Sequence, residues 1–370
     1  MIAVAQIRLA VVGTGLMGAS VALGAKRAGV PRIAGFDADD GALAQAVARG
    51  AIDESCASIT DAVREADLAV VAVPVTEASA AVSTVLSAAP GGCTVTDVSS
   101  TKSSVCAAAA GSPRFVGGHP VCGSEASGAE HASGELFEGA TWFLTPLADT
   151  DPASYRLLHA FVSALGATPV AIGPQAHDRL VALTSHLPHA LANLVANQAG
   201  AARIDGHDPL AAAGGSLRDV TRVAGANPRV WLDIFLDNRD EVLAALADHR
   251  QAVEQLESVL QANDAESLAR WIGEAAGNRR RVLQAAYAAD PGDLYRVRVH
   301  VPDEPGVLAA ITQALGAERI NIEDFELHHL SPERGGVLGI LVAGEVEAKR
   351  AAGLLETQGY GVLVSPVTGG

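Results

Sequence analysis

The chain has 370 residues, 49% of them apolar, and a formal net charge of −16. That length accommodates two or three domains with a sizeable core, and the acidic balance argues against a nucleic-acid surface or an anionic membrane as partner. Cys56, Cys93, Cys106 and Cys122 lack metal-type spacing, no apolar run reaches the length of a membrane span, and the first residues lack the basic start of a signal peptide, so a soluble cytoplasmic protein is expected.

Residues 7–12 are a short apolar run rich in β-branched side chains. Gly13-Thr14-Gly15-Leu16-Met17-Gly18 follows at once, then an alanine-rich helical stretch over 19–28. Gly29 ends that helix, and residues 32–36 form the next strand, closed by Asp37. Strand, GxGxxG, helix, strand and acid is the order a dinucleotide fingerprint requires. Gly13 permits the tight turn, Gly15 lets the backbone approach a pyrophosphate, and Gly18 permits close helix–strand packing. The helix N-terminus offers unpaired N–H groups and a positive dipole end to the phosphates. A carboxylate at Asp37 accepts from an adenosine ribose and repels a 2′-phosphate, so NAD is expected over NADP.

Strand-like runs continue at 68–73, 94–98, 115–117 and 141–145, with a last one at 168–172. Helical stretches separate the earlier ones, so residues 1–173 read as an α/β, Rossmann-type, doubly wound parallel sheet. Ligands in such sheets lie beyond the carboxyl ends of the strands. Those ends are Pro74, residues 97–102 and Gly118-His119-Pro120. Ser100 and His119 are thereby expected on neighbouring loops on the cofactor side. Histidine exchanges a proton near neutral pH without extreme tuning, although a turn histidine before a rigidifying proline is the plainer reading of His119. Ser100 either donates to a substrate oxygen, orients His119, or caps the next helix.

From residue 174 the character changes. Residues 175–199 read as one long helix carrying Ser185-His186-Leu187-Pro188-His189-Ala190, kinked at Pro188. His177, His186 and His189 have no HExxH pattern and no nearby carboxylate set, so no metal is expected and pocket lining is favoured. Ser216 is expected as an N-cap, with Arg218 and Arg222 on one helix face. Arg222 either grips a carboxylate bidentately or pairs with Asp219. Asn227-Pro228 opens a helix carrying Trp231 and Phe235 to about residue 261, and another covers 265–288. Residues 174–289 thus form an all-helical substrate and dimerisation domain. A linker follows at 290–293. Over 294–370, Tyr295, Val297, Val299 and Val301 alternate with Arg296, Arg298 and His300 as an amphipathic strand. A turn (302–306), a helix (307–315), strands at 320–330 and 336–343, a helix (346–358) and a strand (360–365) complete a ferredoxin-like βαββαβ unit.

Taken together, these motifs make the chain resemble the prephenate dehydrogenase family with a C-terminal ACT domain. The marks are residues 13–18, 97–102, 117–123 with Glu125 and Gly128, 185–190, and 218–222 followed by 231–235. The tail adds Pro302-Asp303-Glu304-Pro305-Gly306-Val307-Leu308 and Asn321-Ile322. The resemblance implies NAD-dependent oxidative decarboxylation of prephenate to 4-hydroxyphenylpyruvate in tyrosine biosynthesis. It implies that His119 accepts the hydroxyl proton, that Ser100 bonds the same hydroxyl and helps hold His119, and that Arg222 binds the ring carboxylate. His189, Glu125, Asp219 and Trp231 match substrate-pocket or supporting positions, and a homodimer through the helical domain is implied. In the tail, Asp303, Gly306, Val307, Leu308, Asn321 and Ile322 are expected to hold a small amino acid, its carboxylate on the N–H groups of the helix near Val307; the pathway product tyrosine is the natural candidate. Two alternatives stay open: an arogenate dehydrogenase, and a non-catalytic sensor of NAD and an amino acid. The sensor has no need to keep His119, Ser100 and Arg222 together.

Overall fold

The computed structural model describes residues 4–122, 128–286, 294–331 and 335–367. Glu125 and the expected linker at 290–293 lie outside the described residues. The chain falls into two compact units, residues 1–250 and 251–370, and the helices beyond residue 174 contribute to both.

In the first unit, β1 (Leu9–Val12), α1 (Leu16–Arg27), β2 (Ile33–Phe36), α2 (Asp40–Ala48), β3 (Glu54–Ser55), α3 (Ile59–Val63), β4 (Leu68–Val71), α4 (Val75–Ala88), β5 (Thr94–Asp97) and α5 (Ser103–Ala108) alternate. The five strands form a parallel sheet in the order β3-β2-β1-β4-β5, the doubly wound order of dinucleotide-binding folds. Leu9 and Val11 face one core with Leu68, Val70, Leu158 and Phe161. Ala10 and Val12 face the other with Val82, Val85 and Phe115. A strand covered on both faces has no polar side to show, which is why these runs are continuously apolar.

The sheet expected to continue in parallel changes direction next. β6 (Gly117–Pro120) pairs antiparallel with β7 (Thr141–Thr145). After α6 (Pro152–Ala164), β8 (Thr168–Ala171) pairs parallel with β7. Between β6 and β7 the described residues hold a single 3-10 turn, Ala129–His131, and no crossover helix. Without such a crossover the chain returns antiparallel. Backbone bonds from Val95 N to Arg114 O (2.9 Å) and Val116 N to Val95 O (3.0 Å) tie this smaller sheet to β5. His119 therefore sits on a strand, opposite Phe143, and not in the loop expected for it.

The helix expected over 175–199 is interrupted. α7 (Pro174–Val181) leads into a π turn, Ala182–His186, and then α8 (Leu187–Ala201). Pro188 has no N–H to donate and its ring crowds the preceding turn, and the widened π turn accommodates it. α9 (Gly215–Thr221) is capped by Gly214 and not by Ser216, and it ends before Arg222, which opens a 3-10 turn. Arg218 and Arg222 consequently do not share one helix face. α10 (Pro228–Asp237) and α11 (Arg239–Gln261) are separate helices broken at Asn238, followed by α12 (Ala265–Ala286). No helix among the described residues is long and apolar enough to cross a membrane.

The second unit contains β9 (Leu294–Val301), α13 (Val307–Ala317), β10 (Asp324–Ser331), β11 (Gly335–Ala343), α14 (Glu345–Thr357) and β12 (Gly361–Pro366). The strands form an antiparallel sheet in the order β10-β11-β9-β12, the ferredoxin-like arrangement. Val297, Val299 and Val301 pack on Ile311, Leu315, Ala351 and Leu355, while Arg298 and His300 face solvent. β10 begins at Asp324, so Asn321 lies in the connector and not at a strand start.

Candidate active site

The glycine loop joins β1 to α1 at the carboxyl edge of the sheet. Gly13 has φ +88°, and a Cβ there would stand 2.4 Å from the Ala72 carbonyl oxygen. A Cβ on Gly18 would stand 1.9 Å from the Gly13 carbonyl oxygen, so neither position admits a side chain. Around Gly15 nothing lies within 4 Å of the added Cβ, and no side chain caps the start of α1 at Leu16. Met17 packs against the core and Thr14 is buried. Asp37 follows β2 and accepts from Thr14 N (2.5 Å) and Thr14 Oγ1 (3.1 Å), which holds its carboxylate beside the loop. Open backbone N–H groups with an adjacent carboxylate fit a dinucleotide's pyrophosphate and ribose.

His119 is braced from the neighbouring strand end. A Cβ on Gly118 would stand 2.6 Å from Asp97 O, so only glycine lets β6 approach β5 this closely. Asp97 Oδ1 accepts from Gly118 N (3.1 Å), and Asp97 Oδ2 accepts from Ser99 N (2.9 Å) and from the fully buried Lys102 ammonium. His119 Nδ1 lies 2.8 Å from His177 Nε2, and His177 Nδ1 lies 2.8 Å from Asp178 Oδ1. Asp178 accepts in turn from the backbone N–H groups of Lys102 and Ser103, each at 2.8 Å. Burial, then the positive charges possible at His177, Lys102 and His186, holds the His119 pKa well below the usual histidine value, with Asp178 opposing. A ring kept neutral is a proton acceptor at neutral pH. Burial raises the Asp178 carboxyl, but hydrogen bonds from His177, Ser103 and Lys102 outweigh it and the net direction is down.

The histidines of the helical segment face the same polar network. Buried Asn238 donates from Nδ2 to Asp178 O (2.9 Å) and to His186 Nδ1 (3.1 Å). The His186 pKa is pushed down to about 4, first by burial, with Asp178 opposing and His177 and His189 adding to the fall. His186 meets Trp231 and Phe235 edge-on, at 5.9 and 6.5 Å between ring centres. His189 stacks on Trp231 at 3.5 Å and donates from Nδ1 to Ser185 O (3.1 Å). Burial lowers the His189 pKa, the bond to the Ser185 carbonyl opposes it, and the charge of Arg222 adds to the fall.

Several expected residues meet here and some do not. His119, His189, Trp231 and Arg222 all belong to the first unit; His189 and Trp231 stack on one another, and His119 reaches the helical segment through His177. Neither Arg222 nor Asp219 has an ion-pair partner among the described residues, so the Arg222–Asp219 pair is absent. Ser100 is half-buried and has no hydrogen-bond partner there either; His119, which it was expected to help hold, is met at Nδ1 by His177. Asp178, Asn238 and Lys102 were not among the expected site residues, and His177 had no expected partner. The adjacent acid and base in His177-Asp178 was the available signal, without a motif to mark it. Among the described residues no group of His, Cys, Asp or Glu is arranged to hold a metal ion. In the second unit, a cavity of about 350 Å³ is lined by Asp303, Gly306, Val307 and Leu308 with Leu327 and Gly336. Leu308 and Ile322 also line an apolar cavity of about 240 Å³. Asn321 lines neither, and its amide donates to Glu323 Oε1 at 2.8 Å.

Comparison with known proteins covers each of the chain's three parts. Residues 21–171 match the family model for the prephenate dehydrogenase nucleotide-binding domain, 173–274 the model for its dimerization domain, and 295–356 the ACT domain model. The prephenate dehydrogenase of Bacillus subtilis is 32% identical over 354 residues, covering 94% of this chain and 95% of that one. The crystal structure of prephenate dehydrogenase from Aquifex aeolicus with hydroxyphenyl propionate and NAD+ superposes with a TM-score of 0.69 at 29% identity, covering 74% of this chain and 98% of the other. Synechocystis arogenate dehydrogenase gives 0.67 at 28% identity, covering 74% and 99%. A match along nearly the whole length of both proteins, with the three domain models following one another along this chain, makes it a member of the prephenate dehydrogenase family of oxidoreductases, carrying an ACT domain.

Proposed function

We propose that the chain converts prephenate to 4-hydroxyphenylpyruvate by NAD-dependent oxidative decarboxylation. The observation that carries this reading is His119: a histidine kept neutral, hydrogen-bonded through Nδ1, on the strand next to the cofactor edge of the sheet. Prephenate has a non-aromatic ring with a carboxylate, a hydroxyl and a pyruvyl side chain. Bound NAD supplies the acceptor for the hydride that leaves the hydroxyl-bearing ring carbon. Residues 13–18 hold its pyrophosphate and Asp37 its ribose. His119 takes the hydroxyl proton, and Ser100, whose hydroxyl is uncommitted among the described residues, donates to the same substrate oxygen. Arg222 binds the ring carboxylate, with His189 and Trp231 forming a flat wall for the ring. Loss of that carboxylate as carbon dioxide aromatises the ring. Too strong a grip by Arg222 would retard the loss, so its benefit lies in positioning.

The similarity to an arogenate dehydrogenase favours one second reading, in which an amino acid side chain replaces the pyruvyl group. The subunits pair through the helical region, and tyrosine binds the second unit's cavity beside Gly306 and Val307 as a feedback inhibitor. The experiment that tests the activity is NADH and carbon dioxide formation with prephenate and with arogenate, each with NAD and NADP. Prephenate with NAD should give the highest catalytic efficiency. Turnover of arogenate alone would establish the second reading, and no turnover of either would leave a sensor.

A further inference from the structure

We infer that His177 and Asp178 are positioning residues that fix the tautomer of His119, leaving its Nε2 as the unprotonated, proton-accepting nitrogen. The inference rests on the reading of His119 as the base. Lys102 N and Ser103 N can only donate, and both point at the Asp178 carboxylate, one at each oxygen. Asp178 is thus an acceptor at both oxygens, and the contact from His177 Nδ1 at 2.8 Å must be a donation. A neutral imidazole with its proton on Nδ1 has a bare Nε2. That bare nitrogen lies 2.8 Å from His119 Nδ1, so His119 donates from Nδ1. Its Nε2 is then the nitrogen with the free lone pair.

The same chain acts after the proton has moved. When the substrate hydroxyl gives its proton to His119 Nε2, the ring becomes a cation. Its Nδ1–H already points at a neutral acceptor, backed by a carboxylate that stays ionised, as in the logic of acid–base triads. The arrangement is also rigid. His177 and Asp178 are buried, and Asn238 Nδ2 holds the Asp178 carbonyl from α10–α11. The charged or titratable groups facing His119 are His177 and Asp178 on α7, Lys102 before α5 and His186 in the π turn.

The test compares wild type with Asp178→Asn, His177→Leu, His177→Gln and His119→Asn. An amide at 178 has one acceptor oxygen where the carboxylate has two, so it cannot serve Lys102 N, Ser103 N and His177 Nδ1 as the carboxylate does, and the tautomers of His177 and His119 lose their charged anchor. Turnover should fall about a hundredfold or more, with the Michaelis constant for prephenate and NAD binding close to wild type. His177→Leu should fall similarly. His177→Gln, whose carbonyl can accept from His119 Nδ1, should recover most of that loss. Removing the Asp178 charge should also shift the acidic limb of the pH–rate profile to lower pH. In histidine-labelled wild-type protein, nitrogen NMR should find His119 protonated at Nδ1 and bare at Nε2, a readout that does not require the variants to fold. The Nε2–H tautomer in wild type would overturn the inference. So would His177→Leu and Asp178→Asn variants with normal turnover beside an inactive His119→Asn, which would leave His119 as the base. Normal turnover of His119→Asn would instead overturn the base itself.

Discussion

At the scale of single residues, the site is a set of side chains whose protonation is set by what buries them. His186 has a pKa near 4 in the folded chain against an ordinary unfolded value of about 6.5. The folded state therefore binds fewer protons between those values. The stability that depends on a neutral His186 is present above about pH 6.5 and is lost as pH falls toward 4, on the order of 3 kcal/mol in all. Denaturant unfolding at a series of pH values should show this slope, and His186→Gln should flatten it. Arg222 is exposed, and no described carboxylate pairs with it. Arg222→Ala should raise the Michaelis constant for prephenate far more than it lowers turnover, since uniform binding is what it removes; an unchanged Michaelis constant would remove it from the substrate site. Asp37→Ser with a neighbouring arginine should move preference from NAD toward NADP, measured as the ratio of catalytic efficiencies. The glycines, Asp37 and His119 were legible because motif order and strand ends mark them. The partner of His119 was not, since His177 lies 58 residues away and a hydrogen bond between two helix–strand surfaces leaves no spacing to read.

At the scale of elements, the structure departs from the sequence reading wherever a helix is broken without a change in its apolar pattern. Periodicity runs through the π turn at Ala182–His186 and through Asn238, so both breaks are invisible to it. Both breaks serve the site. The π turn carries His186, and the α10–α11 junction turns the Asn238 amide inward onto Asp178 and His186. Asn238→Ala should leave the His186 ring nitrogen unpaired, while the Asp178 carbonyl keeps its bond from Ala182 N, at a cost of about 1–3 kcal/mol, read as a lower midpoint in denaturant. Lys102→Met should cost more, about 3–5 kcal/mol, because it leaves the buried Asp97 carboxylate without its cation; a variant as stable as wild type would show that the backbone N–H groups of Ser99 and Gly118 suffice. Four of the five parallel strands were readable as strand-like runs; β3 was not, since Glu54-Ser55 is two exposed polar residues with no apolar run to mark it. The antiparallel β7 was not, because direction is decided by the connection and not by the strand.

At the scale of the whole molecule, large apolar side chains stand exposed along the helical region. Leu183, Leu194, Leu232, Leu236, Leu243 and Trp271 each keep half or more of their surface in solvent. Such exposure marks association surfaces, and sedimentation should give a mass of twice the chain's 37.6 kDa. The βαββαβ unit was legible because its first strand alternates cleanly between valines and charged residues, and its cavity beside Gly306 gives an effector a place. Ending the chain at Asp290 should abolish inhibition by tyrosine while leaving turnover; equal inhibition of both forms would mean that tyrosine acts as a product analogue. The claim at the centre, that His119 takes the substrate's hydroxyl proton during NAD-dependent oxidation, is tested most directly by turnover of prephenate across pH for wild type and His119→Asn. The wild-type rate should fall on the acid side, and the variant should bind NAD normally, turn over about a hundredfold more slowly or worse, and lack the acidic limb. A variant that keeps near-normal turnover with the same acidic limb would contradict the account.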